Sequence, residues 1–293
     1  MKVKETLPIG VVCHDAGAAN QIVAFLKSQR VSDFYGYLEG PARKLWDLNF
    51  PEEKSVASLD ALFDISETLL TGTSWSSDLE HRARLLASQM GMTSITLLDH
   101  WVNFETRFTW NGFTMLPDKF WVVDEYAFAI AADIFEGKEI QLIPDTYMEQ
   151  MLINISQSSV GGLGNILYLL EPIRSNWGLS EPGELQALRY FLTNFSRLKV
   201  DKNTAVCLRL HPSETVEKYN SVIQEFPDMD IEFDSGSLAD AIARAIMVVG
   251  CQTYAMTIAI QLGIPVVSSM PPWAPSSLLP HSGIIELRNM TQT

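Results

Sequence analysis

The sequence predicts an α/β protein built from two doubly wound, parallel-sheet domains. Three observations carry that expectation. Short apolar runs alternate with helical segments from Leu7 to Phe135, the pattern of a parallel sheet covered on both faces. The rhythm lapses between Pro144 and Gly164, then restarts at Asn165. Polar residues collect where the apolar runs end, and open α/β sheets bind ligands at the carboxyl ends of their strands.

In chain order, Leu7–Cys13 is an apolar run suited to a buried first strand, and His14-Asp15-Ala16-Gly17-Ala18-Ala19-Asn20 turns into a helix ending near Ser28. A second strand is expected over Asp33–Leu38 and a helix over Pro41–Leu48, while Val56–Phe63 reads either way. Glu67–Thr71 is a strand leading into Gly72-Thr73-Ser74. Ser77–Met90 is a helix that Gly91 closes. Ser94–Leu98 ends on Asp99-His100-Trp101, and a polar-aromatic loop runs from Val102 to Pro117. Strand Phe120–Val123 and helix Glu125–Phe135 complete the first series. The Met-, Gln- and Ser-rich stretch 144–164, with its Gly161-Gly162-Leu163-Gly164 run, reads as a linker, which sets domains at 1–155 and 156–293.

The second series has strand Asn165–Leu170 before Glu171-Pro172, helix Gly183–Leu198, strand Thr204–Leu210 before His211-Pro212, helix Ser213–Glu225 and strand Asp230–Phe233. The most compact unit follows: helix Leu238–Arg244, strand Ala245–Val249, the turn Gly250-Cys251-Gln252-Thr253, helix Thr253–Leu262 and strand Ile264–Val267 before Ser268-Ser269. The tail 271–293 is expected to be loop with one last helix or strand.

The chain has 293 residues, 47% hydrophobic, and a formal net charge of -14. That charge excludes a phosphate-backbone partner, so no nucleic acid is expected. The acidic excess is larger in the first half, which leaves the second half the better host for an anion. No apolar run reaches the roughly 20 residues of a membrane span. The start lacks a signal-peptide cleavage pattern, so the protein is expected in the cytoplasm. Cys13, Cys207 and Cys251 are scattered, giving neither a disulfide framework nor a zinc site. Nothing has metal-ligand spacing, and P-loop, dinucleotide and nucleophile-elbow fingerprints are absent. No metal and no cofactor are therefore expected.

Two clusters of site candidates emerge. In the second half, the turn from Gly250 leads to a helix start at Gln252-Thr253 that can dock a phosphate on its unpaired amides, with Thr253 as cap and hydroxyl donor. Ser268 and Ser269 end the next strand. Arg209-Leu210-His211-Pro212 places an imidazole at a strand end, its backbone held extended by Pro212. His211 can then meet a departing phosphate, with Arg209 adding a bidentate contact. In the first half, His14-Asp15 offers a base, with Asp99-His100 as the rival pair. Small residues at 16–19 let a ligand approach, and an acidic domain favours a raised carboxylate pKa. The competing reading makes Asp15 a helix cap. Trp101, Phe104 and Trp110 are candidates to line an acceptor pocket, and Glu171 is a candidate crevice-facing acid. Of the five histidines, only His81, inside a helix, is expected to face away.

Leu208-Arg209-Leu210-His211-Pro212 followed by the 250–269 unit resembles the nucleotide-binding half of GT-B-type enzymes. The nearest are those with a His-Pro motif, such as bacterial sialyltransferases and CDP-glycerol glycerophosphotransferases, together with capsule-polysaccharide glycosyltransferases. The resemblance implies two Rossmann-like domains around a cleft. It implies a nucleotide-sugar donor held by the second domain and a glycan or small-molecule acceptor on the first. His211 would contact the donor phosphate and Thr253 would assist. The usual Ser-Ser or Ser-Thr pair stands here as Gln252-Thr253. Sugar-nucleotide hydrolases and hydrolysing UDP-N-acetylglucosamine 2-epimerases share the fold and form an alternative, with Asp15 or His14 activating water. A non-catalytic sugar-nucleotide-binding subunit is a third reading.

Overall fold

A computed structural model of the chain describes residues 6–74, 76–158, 164–173 and 175–291. It divides into two compact units, 1–150 and 151–293. Each unit holds its own six-stranded sheet, and every strand pairing in both is parallel.

The first unit contains β1 (Ile9–Cys13), α1 (Ala16–Ser28), β2 (Phe34–Leu38), α2 (Gly40–Asn49), α3 (Leu59–Phe63), β3 (Thr68–Thr71), α4 (Leu79–Met90) and β4 (Thr93–Leu97). A two-residue-per-strand hairpin follows, β5 (Thr109–Trp110) and β6 (Phe113–Thr114), then β7 (Lys119–Val122), α5 (Glu125–Ile134) and β8 (Glu139–Leu142). The strand order is β2-β1-β3-β4-β7-β8. Alternation along β1 sends Ile9, Val11 and Cys13 to the face covered by α1 and α2, and Val12 to the face covered by α3 and α4. The chain reverses its direction of travel across the sheet between β1 and β3, which makes their carboxyl ends the topological switch point.

α6 (Thr146–Gln157) enters the second unit, followed by β9 (Asn165–Leu169), α7 (Gly183–Thr193), β10 (Val206–Arg209), α8 (Asn220–Ile223), β11 (Ile231–Phe233), α9 (Leu238–Arg244), β12 (Ala245–Gly250), α10 (Tyr254–Gln261), β13 (Val266–Ser268) and β14 (Ile284–Glu286). The order β11-β10-β9-β12-β13-β14 is the Rossmann order, with its switch point between β9 and β12. All five residues of β9 are buried, and Ile166, Tyr168 and Leu170 pack with Leu188, Phe191 and Leu192 of α7.

Three expectations need correction. The stretch 144–164 is not simply a linker, because α6 occupies most of it. Asp145 accepts a hydrogen bond from the Met148 amide at 2.9 Å at its start, and Met151 and Ile155, four apart, are both buried. Met, Gln, Glu and Leu are strong helix formers, and the apolar stripe was hidden by polar neighbours. Residues 159–163, most of the glycine run, lie outside the described residues. β8 has no counterpart in the sequence reading, because it is a four-residue, half-exposed edge strand with little apolar signal. The single helix expected over 213–225 is a 3₁₀ turn at Val216–Tyr219 running into the short α8.

No helix among the described residues is long and apolar enough to cross a membrane. The three cysteines are free and buried, and burial pushes their thiols up: Cys207 to about 11, Cys13 and Cys251 well above the usual value.

Candidate functional site

At the switch point of the first sheet, β1 delivers His14 and Asp15, and the segment after β3 delivers Thr73 and Ser74. Asp15 occupies the N-cap position of α1, yet its side chain makes no capping bond. Its Oδ1 instead takes hydrogen bonds from His14 Nδ1 at 2.9 Å and Ser74 Oγ at 3.0 Å. The imidazole lies against Gly40, where a Cβ would stand 2.5 Å from His14 Nε2. Gly40 also has φ +53, so both the turn and the close approach require glycine.

Asp99, next along the sheet after β4, sits with its side chain only 12% exposed. Thr73 Oγ1 donates to its Oδ1 at 3.2 Å, and Arg107 Nη1 lies at 3.4 Å. Burial raises its pKa; Arg107 opposes that and Asp15 adds to it. The small residues of the α1 start admit this carboxylate rather than a ligand, since a Cβ on Gly17 would meet Asp99 Oδ2 at 2.4 Å. His100 turns its Nδ1 to the Trp101 amide at 3.0 Å. Thus His14, Asp15 and Ser74 form one hydrogen-bonded group. Asp99 is bound into a neighbouring one with Thr73 and Arg107, and His100 faces its own loop.

The sequence reading missed Glu80. It sits in the first turn of α4, 2% exposed, and its Oε1 accepts from the His14 amide at 2.8 Å. Burial pushes its carboxyl up to about 7, against the pull of two backbone amides and Arg84. Glu80 looks from sequence like one more surface acid in a polar helix, and its position facing the end of β1 has no local signature. His81, expected to face away, lines a cavity of about 190 Å³ together with Ser74, Ser77, Glu80, Arg107 and Trp110. Of the aromatic candidates only Trp110 reaches that cavity. Trp101 is buried, donating from Nε1 to Asp124 at 2.7 Å, and Phe104 stacks on Phe135.

The second switch point is arranged differently. Glu171, just beyond β9, places Oε1 on the amides of Cys251 at 2.8 Å and Gln252 at 2.7 Å. The turn amides just ahead of α10 are therefore occupied by the chain's own carboxyl group. Desolvation pushes that carboxyl up to about 7, although the amides of residues 251–253 pull it down. Thr253 stands at the N-cap without a side-chain capping bond, contrary to expectation. Gln252 Oε1 accepts from the Leu278 amide at 3.3 Å. Gly250 lets Met256 Sδ come within 3.1 Å of where a Cβ would be.

Ser268 and Ser269 are wholly buried. Ser268 Oγ donates to Cys251 O at 3.1 Å, and Ser269 Oγ meets Gly250 O at 3.2 Å and Tyr168 Oη at 2.9 Å. They brace the turn from within. Arg209 is ion-paired to Asp234 and donates to Gly236 O at 3.0 Å, so its guanidinium serves the β10–β11 edge. Arg244 Nη2 holds the other Asp234 oxygen at 2.9 Å. His211, at the partly exposed end of β10, sets Nδ1 2.7 Å from Ser213 Oγ, and Pro212 beside it is exposed. Among the described residues no group of three or more His, Cys, Asp or Glu side chains could hold a metal ion.

No protein-family profile and no curated protein matches the sequence. Solved structures do match in shape. A Listeria monocytogenes protein assigned as a UDP-N-acetylglucosamine 2-epimerase aligns with TM-score 0.58 at 12% identity, over 89% of this chain and 79% of that one. The Anabaena protein HepE, solved in complex with UDP and glucose, aligns with TM-score 0.57 at 10% identity, over 94% of this chain and 84% of that one. The fold is GT-B-like. At these identities the likeness is one of architecture, two α/β domains with parallel sheets.

Proposed function

We propose that the chain is a glycosyltransferase that takes its sugar from a nucleotide-activated donor, working in bacterial surface polysaccharide synthesis. The observation that carries this reading is the His14-Asp15-Ser74 group at the first switch point. There Asp15 sits at a helix start without capping it and stays partly exposed. A carboxylate so placed can take the proton of an acceptor hydroxyl as that oxygen attacks the anomeric carbon and the nucleotide leaves with the bonding electrons. His14 orients Asp15 and Ser74 fixes it. His211 in the second domain contacts the donor phosphate and offsets its charge without a metal ion. The fold shared with a protein solved with UDP and glucose supports the donor class.

The likeness to the 2-epimerase supports a second reading, in which water replaces the acceptor hydroxyl and free sugar is released. Product analysis decides between them. Wild-type protein is incubated with a panel of nucleoside mono- and diphosphate sugars, with and without glycan acceptors. A new glycoside appearing only with acceptor supports transfer, and free sugar formed equally without acceptor supports hydrolysis. Binding without any turnover would leave a sugar-nucleotide-binding subunit.

A further inference from the structure

The cavity beneath the start of α4 carries two polar atoms that the fold leaves unsatisfied. Glu80 is almost fully buried, and its Oε2 has no hydrogen-bond partner among the described residues. His81 Nδ1 is likewise buried without one. Burial together with Arg84 lowers the pKa of His81, against the opposing pull of the Phe108 backbone, so the ring is neutral at neutral pH. In the tautomer that carries its proton on Nε2, Nδ1 is a bare lone pair. His81 Nδ1 in that tautomer accepts. Glu80 Oε2 accepts when ionised and can donate when protonated, its carboxyl being pushed up to about 7. A buried polar atom left unsatisfied is costly. What they require is a ligand whose groups both donate and accept.

Charge narrows the class further. Two guanidiniums line the cavity, and each has a carboxylate near it. Arg107 stands 3.4 Å from Asp99. Arg84, one helical turn from Glu80, donates to Met115 O at 3.0 Å and lies over the Phe108 ring at 4.8 Å. A phosphate or carboxylate ligand would find each guanidinium already beside a carboxyl group and would bring acceptors alone. A hydroxyl both donates and accepts, so it suits Glu80 in either protonation state. Ser77, Thr106 and Thr109 add hydroxyls of their own, and the half-buried Trp110 indole supplies one apolar wall. The volume, about 190 Å³, equals roughly six waters of liquid and matches one sugar ring rather than a chain.

We propose that this cavity seats one ring of a neutral, hydroxyl-rich sugar, whose hydroxyls hydrogen-bond Glu80 and His81 and whose face lies on Trp110. The inference rests on the glycosyltransferase reading and gives it an acceptor class: a neutral pyranose rather than an acidic sugar, phosphate or lipid phosphate.

The test reads the indole ¹⁵N–H signals of the seven tryptophans, with Trp110→Phe identifying its own. Glucose, galactose, mannose, N-acetylglucosamine and N-acetylgalactosamine are titrated to tens of millimolar, with glucuronate and inorganic phosphate as anionic arms. The expected result is a saturable shift of the Trp110 signal with at least one neutral sugar and none with the anions. Glu80→Gln and His81→Phe should each weaken that binding about tenfold. Trp110→Ala, on a surface hairpin, tests the same seat where folding is not at stake. Its binding should fall similarly, read by saturation-transfer NMR of the sugar. Absence of a shift with every neutral sugar, unchanged binding in all three variants, or stronger binding of either anion overturns the inference. Donor turnover is measured separately. Sugar binding without donor turnover would remove the transferase reading and leave the seat, and turnover without the Trp110 shift would do the reverse.

Discussion

The two switch points use the same strand-to-helix construction to opposite ends. In the first domain, His14 and Asp15 follow β1, and Asp15 leaves its helix start uncapped to bond His14 and Ser74. In the second, Glu171 follows β9 and its carboxyl group is held by the turn amides of Cys251 and Gln252 ahead of α10, while Ser268 and Ser269 are consumed by the turn. A polar residue at a strand end is thus no guide to chemistry until its partners are counted. Where the backbone already satisfies it, it is architecture; where it is held by other side chains at a partly exposed rim, it can react.

That contrast is broken most directly at Asp15. Asp15→Asn keeps the shape and should lower turnover of the true substrate by roughly 10²–10⁴-fold. Its thermal midpoint should move little, because no capping bond is lost. Turnover within a few-fold of wild type would move the base to Asp99, or to Glu80 on the His14 amide.

Glu171 should behave as a stability residue. Its carboxyl titrates near 7 in the folded chain against an ordinary value near 4.5. Between those values the native state holds more protons than the unfolded state, so this group's contribution falls as pH rises from about 4.5 to about 7. The full change is on the order of 3 kcal/mol. Glu171→Gln should flatten that part of the stability–pH curve in denaturant titrations while leaving nucleotide affinity nearly unchanged. A curve parallel to wild type would show that the amides of residues 251–253 already hold the charged form comfortably.

The expected loss for His211→Ala is about 1.5–3 kcal/mol of nucleotide binding, the worth of a charge-assisted hydrogen bond. Isothermal titration with nucleoside diphosphates measures it, and equal affinity would remove the donor site from β10. Thr253→Val should cost least, within about 0.5 kcal/mol of stability, because its hydroxyl makes no capping bond. A larger drop in nucleotide affinity than in stability would restore it as a ligand contact.

The alternation of elements was legible because buried parallel strands are short apolar runs with distinct ends. β1, β9 and β12 fall within a residue or two of their expected limits. α6 was obscured because only two of its buried positions, Met151 and Ile155, carry a hydrophobic signal amid polar neighbours. The site was half legible. His14 and Asp15 announce themselves by following a strand, whereas Glu80 acts from a helix face on a backbone amide 66 residues away, a long-range relation that no local pattern encodes. Arg209 shows the opposite error. Its place at a strand end was right, but Asp234 lies beside it on the neighbouring strand end and takes its charge.

The sealing of all three thiols has a practical consequence. With Cys13, Cys207 and Cys251 buried and their pKa values raised, the native chain offers almost no thiolate to an alkylating reagent at neutral pH. Release of colour from a disulfide reagent therefore becomes a clock for opening of either sheet. A single cysteine introduced at a well-exposed position such as Leu48, 83% accessible, would carry nearly all of any maleimide dye, so the protein is ready for fluorescence labelling without first stripping its native cysteines.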